Sequence, residues 1–151
     1  MTLKFFFSDN SRGHNDLYLQ VAEREWVCDS YYLALDDNLL PEREDSSKVR
    51  AVLFRLMEQW LAAIERLSAN EVAFLPYDFS DQYTGWLRCE HRDSYVLVSR
   101  GWSPVEGWSF SPSAIPSHLA VAPNFKSDGV ILSLPKQDLL EAIRASMQQA
   151  A

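Results

Sequence analysis

The stretch that decides the fold is Leu75 to Pro112, LPYDFSDQYTGWLRCEHRDSYVLVSRGWSPVEGWSFSP, which holds three of the five tryptophans. From Tyr83 to Glu90 its residues alternate, with Trp86, Arg88 and Glu90 on one parity and Gly85, Leu87 and Cys89 on the other. That two-residue period predicts a strand with one apolar and one amphipathic face. Tyr95-Val96-Leu97-Val98 is apolar on both parities and β-branched, as suits a central strand covered on both sides. The polar His91-Arg92-Asp93-Ser94 between them predicts a four-residue hairpin loop and antiparallel pairing. Gly101-Trp102-Ser103 then recurs as Gly107-Trp108-Ser109. Pro104 to Gly107 between them predicts a tight hairpin, with Gly107 at positive φ, that would bring Trp102 and Trp108 together.

Upstream, Leu3 to Phe7 and Leu17 to Ala22 read as strands, and Trp26-Val27-Cys28 follows a turn at Glu23 to Glu25. Tyr31 to Leu35 fits a strand or a short helix. Asp36 to Asp45 is an acidic loop. From Ser47 to Leu67, Val49, Val52, Leu53, Leu56, Met57, Trp60, Ile64 and Leu67 recur at helical steps, while Lys48, Arg50, Arg55 and Glu58 fall mainly opposite. Ser46 or Ser47 can cap this helix, with Glu42, Glu44 and Asp45 beside its positive dipole end. Asn70 suits a left-handed residue past its end, before a strand from Glu71 to Leu75.

Downstream, Pro112, Pro116 and Pro123 leave room only for a short edge strand at His118 to Ala122. A last strand, Val130 to Leu134, opens at Gly129 and leads through Pro135 into a C-terminal helix carrying Leu139, Leu140, Ile143 and Met147, with Gln148 to Ala151 fraying. The pattern predicts an α+β fold: a mostly antiparallel sheet, one long amphipathic helix packed on it and a C-terminal helix. No repeat or linker divides the 151 residues, so residues 1 to 151 are read as one domain.

An apolar fraction of 47% against 23% charged residues is that of an ordered globular chain. The net charge of -7 argues against nucleic acid, whose binding rests on lysine and arginine. No stretch has the length of a membrane span, and Met1 to Phe7 is too short for a secretory signal, so a cytoplasmic protein is expected. Cys28 and Cys89 lie far apart in apolar runs, which predicts buried, unpaired thiols.

His14, in a polar loop, could act as a base, but His91 and His118 have no second histidine or cysteine at metal spacing, so no metal or cofactor is expected. Neither Cys89 nor Ser109 lies in a nucleophile signature. Asp78 and Asp81, three residues apart, could share a cation or divide acid and base roles, although such aspartates more often cap turns. Trp26 and Trp60 read as core. Trp86, Trp102 and Trp108, beside loops and glycines, could be folded over a core edge or stand exposed as anchors, with Glu106 adding negative charge. The leading reading is a non-catalytic module that binds a basic protein partner, in the manner of inhibitor or immunity proteins. The alternatives are a small-molecule binder with an aromatic-lined cleft and a small enzyme using Asp78, Asp81 and a histidine.

Overall fold

The strands divide into two antiparallel sheets. The computed structural model describes residues 3–10, 13–39 and 45–151. Strands β1 (Leu3–Phe7), β2 (Asn15–Val21) and β3 (Arg24–Asp29) form a three-stranded sheet in that order. After a short helix α1 (Tyr31–Ala34) and the long helix α2 (Ser46–Glu65), strands β4 (Val72–Phe79), β5 (Thr84–Arg92), β6 (Tyr95–Ser103) and β7 (Lys126–Pro135) form a four-stranded sheet, also in sequence order. Helix α3 (Lys136–Ala150) closes the chain. The fold is α+β, as the sequence predicts.

Each hairpin follows from its turn chemistry. Ala22 takes a left-handed φ of 54° between β2 and β3. The β5–β6 connection is only two residues, because His91 and Arg92 continue the ladder opposite Val96 and Tyr95, and Asp93 absorbs a φ of 53°. The expected four-residue loop is thus shortened to a tighter turn. Asn70 adopts the left-handed conformation its sequence position suggests.

Helix α2 buries Val52, Leu53, Leu56, Met57, Trp60 and Ile64. The Trp60 ring stacks on Phe5 at 5.1 Å, and its Nε1 donates to the Pro76 carbonyl at 2.9 Å, so one side chain ties the helix to both sheets. The cap is Asp45, whose carboxylate accepts from Lys48 N at 3.2 Å; Ser46 and Ser47 lie inside the first turn and do not fill that role. Glu42 and Glu44 lie outside the described residues. Lys48, expected on the polar side, is buried, because its ammonium donates to the Leu39 carbonyl of the chain that crosses the helix start.

Helix α3 packs on α2 and along β1, where Phe5 N donates to the buried Ser146 hydroxyl at 3.1 Å. Its last turn does not fray: Ala150 is helical and buried, and Ala151 N bonds the Met147 carbonyl. One hydrophobic cluster joins residues of both sheets and both long helices. Cys28 and Cys89 lie in it as free, buried thiols.

Paired residues in an antiparallel ladder share a face. One face of the four-stranded sheet therefore carries Gly85, Leu87 and Cys89 together with Trp102, Arg100 and Val98, and the other carries Trp86 opposite Gly101. The segment between β6 and β7 covers the Trp86 face. Phe110 stacks on Trp86 at 6.5 Å, and Phe125 meets Phe74 at 5.1 Å. Gln59 of α2 clamps that segment by donating to Pro112 O and accepting from Ile115 N, each at 2.9 Å. Within it, residues 118–122 make no edge strand. A 3-10 turn, Ser117–Leu119, stands there instead: the N–H groups of Leu119, Ala120 and Ala122 go to carbonyls three residues back, and Ala122 turns at a φ of 40°. The recurrence at Gly107 does not form a hairpin with Trp102 either. The turn lies at Glu106–Ser109, and Gly107 does not use a positive φ; it is needed because a Cβ there would lie 2.7 Å from the Ser80 carbonyl.

Candidate functional site

At the end of β5 and β6 nearest the β4–β5 turn, the apolar face of the four-stranded sheet stops being core and opens into a cleft of about 330 Å³. Its floor is Gly85, and its walls come from Tyr77, Asp78, Tyr83, Arg100, Trp102 and Asp128. The register explains this gathering. Gly85 pairs with both Asp78 and Trp102, and Arg100 lies one same-face step further along β6. A bulge between Pro76 and Asp78 slips one extra residue into β4, which brings Tyr77 and Asp78 to the cleft together. Glycine at position 85 leaves the space: a Cβ there would sit 3.1 Å from Asp78 Cβ and 3.2 Å from Tyr77 Cζ.

Arg100 organises the polar side. Its Nη1 meets Asp128 Oδ2 at 2.5 Å, it donates to the Tyr77 hydroxyl, and its guanidinium lies over the Trp26 ring at 4.6 Å. Trp26 belongs to β3, so this stacking, with the bond from Asp29 N to Asp78 Oδ1 at 3.3 Å, joins the two sheets behind the cleft. Burial pushes the Asp78 carboxyl above its ordinary value; the Asp29 N–H and Arg100 offset part of that shift, and the Asp29 charge adds to it. Burial likewise raises the Tyr77 phenol. Of the two Asp78 oxygens only Oδ1 is bonded; Oδ2 accepts no hydrogen bond from any described residue.

The rim is aromatic. Trp102 is 39% exposed and Tyr83 41%, their rings edge to face at 6.2 Å, and Lys126 Nζ stands 5.2 Å from the Trp102 ring centre. Trp108 is 64% exposed. It neighbours Gly107, whose N–H bonds Ser80 O at 2.7 Å, so the turn carrying Trp108 and Glu106 is docked on the turn carrying Asp81 and Tyr83.

The sequence candidates therefore separate. Asp78 and Trp102 enter the cleft; Trp108, Glu106 and Asp81 stand at the same end of the sheet without lining it. Trp86 is fully buried, with Nε1 donating to the Ser103 hydroxyl at 2.7 Å, and belongs to the core as no interface anchor can. Asp78 and Asp81 do not act as a pair: Asp78 takes the Asp29 N–H, whereas Asp81 accepts from the Tyr32 hydroxyl, raising that phenol to about 12. No histidine lines the cleft. His14 lies against Tyr31, its Nδ1 3.3 Å from the Ser30 hydroxyl, which is buried beyond reach of a substrate and shared with Asp16. Among the described residues no three histidine, cysteine or acidic side chains gather as a metal site, and no helix is long and apolar enough to cross a membrane.

Sequence reading missed Arg100, Asp128, Tyr77 and Gly85. Arg100 and Gly85 carried the one available signal, a charged residue and a glycine on the parity of a strand's apolar face, but Asp128 comes from a strand 28 residues later. No family model matches the chain, and no curated protein and no solved structure shows significant similarity to it.

Proposed function

We propose that this chain is a non-catalytic protein-binding module that docks a basic partner on the aromatic rim of the Gly85 cleft. The observation that carries the reading is the exposed Trp102–Tyr83 pair at the mouth of a cavity with carboxylates inside. Trp102 projects from a strand paired on both sides, by Gly85 and Lys126, so immobilising it on a partner costs little conformational entropy. Trp108 and Glu106 extend the same end of the sheet, and the overall charge of -7 steers a basic protein towards it. The cleft holds no imidazole, and Asp78 and Asp81 are bonded apart, so the pairing of these two aspartates with a histidine finds no support in the geometry.

The test is capture from an extract on immobilised wild type, Trp102→Ala and Trp108→Ala, all with matched thermal melts. The expected result is a protein held by wild type, released by moderate salt and lost from Trp102→Ala. Retention of the same proteins by all three forms overturns the proposal. A small-molecule binder is the second reading, favoured by the cleft's volume, which lies at the low end for ligand sites. On that reading a low-mass species travels with wild type in a native mass spectrum and is lost when Trp102 is replaced.

A further inference from the structure

The cleft has features that specify what could fill it. Its volume of about 330 Å³ accommodates one side chain rather than a peptide segment. The walls offer the rings of Tyr83 and Trp102, and a cation already stands over the indole, that of Lys126 at 5.2 Å from its centre. The charges acting on Asp78 are those of Asp29 and Arg100, and Arg100 is held by Asp128 at 2.5 Å. Three carboxylates, Asp29, Asp78 and Asp128, thus stand against the two cations Arg100 and Lys126, and the surplus is negative. Each cleft carboxylate keeps one oxygen open to a new donor, Asp78 Oδ2 and Asp128 Oδ1, its other oxygen being bonded already. One open oxygen per carboxylate suits an ammonium, a point charge with three rotatable donors; a planar arginine fork takes both oxygens of one carboxylate.

We infer that the Gly85 cleft is a socket for one alkylammonium group, a lysine side chain of the docking partner, held by Asp78 Oδ2 with its methylenes along Tyr83 and Trp102. The inference rests on the docking function proposed above and adds the chemistry of the anchor. In this arrangement the ammonium donates to Oδ2, while its stem covers aromatic surface otherwise left at the rim. Binding transfers no proton and forms no covalent bond.

The test uses three probes, Nα-acetyl-lysine amide, Nα-acetyl-arginine amide and Nα-acetyl-norleucine amide, titrated into uniformly 15N-labelled protein. Lysine amide is expected to shift the Gly85 amide and the Trp102 indole N–H saturably, binding about ten-fold tighter than norleucine amide and more tightly than arginine amide. Asp78→Asn, which keeps the shape, should abolish the preference for lysine over norleucine while melting no lower than wild type. Equal binding of all three probes, a preference for arginine or norleucine, or shifts confined to other surfaces overturns the inference. The two proposals fail separately. If Trp102→Ala releases the partner but lysine amide leaves Gly85 unmoved, docking stands and the lysine socket falls. If lysine amide binds at Gly85 while Trp102→Ala keeps the partner, the socket is a small-cation site and the docking function falls.

Discussion

Trp86 and Trp102 lie on neighbouring strands, one register step apart, yet one is sealed and the other open. Trp86→Ala removes an indole packed on Phe74 and Phe110 and leaves the Ser103 hydroxyl without its donor, so a loss of about 3 to 5 kcal/mol is expected. Trp102→Ala should cost under about 1 kcal/mol, because the ring is partly solvated and its main neighbour is another rim residue. Paired thermal melts check both figures. Asp78 carries a pH signature of its own. Its folded value lies above the usual 3.8, so the folded state holds the proton more tightly than the unfolded chain. The associated stability is complete below the unfolded value and is lost as pH rises through the folded one. Wild type should therefore lose stability relative to Asp78→Asn across that interval, and urea titrations at a series of pH values measure the difference. No local pattern separates the two tryptophans, since what covers Trp86 is a segment from beyond β6 and what opens Trp102 is a glycine on the adjacent strand.

Elements were readable where their cause is local. The 3.6-residue stripe of α2, the alternation of β5 and the Pro135 start of α3 each place an element whose face the structure then buries. Where the cause is distant the reading slips. Asp78 was expected in a turn and lies in β4, because pairing with Gly85 and the Asp29 N–H carries the strand past Pro76. Lys48 was expected in solvent and is buried by a chain segment that a periodicity count does not see. Helix α2 offers two checks. Trp60→Ala should lower stability by about 3 to 5 kcal/mol, since it breaks contacts to both sheets at once. Asp45→Ala removes the cap, about 1 kcal/mol. Denaturant midpoints for the two variants should keep that order, and an Asp45→Ala effect as large as that of Trp60→Ala would mean the cap holds more than the helix start.

At the scale of the whole molecule the fold class could be predicted, but the division into two sheets could not, because strand composition is alike on both sides of α2. The sheets meet where Arg100 lies on Trp26 and Asp78 takes the Asp29 N–H, so the cleft stands at their seam. Each sheet also carries one buried thiol, Cys28 in β3 and Cys89 in β5, and burial raises both, Cys89 to about 12. Neither thiol reacts until its surroundings open, so together they act as two clocks wound by the same fold. Under native conditions a thiol reagent reads the free energy of the opening that frees each sulfur. Because one apolar cluster spans both sheets, the two opening energies should agree within about 1 kcal/mol and rise and fall together with urea. If Cys28 were labelled far ahead of Cys89, the three-stranded sheet would be parting on its own at the seam, and the partner's docking point would be the hinge on which the molecule breathes.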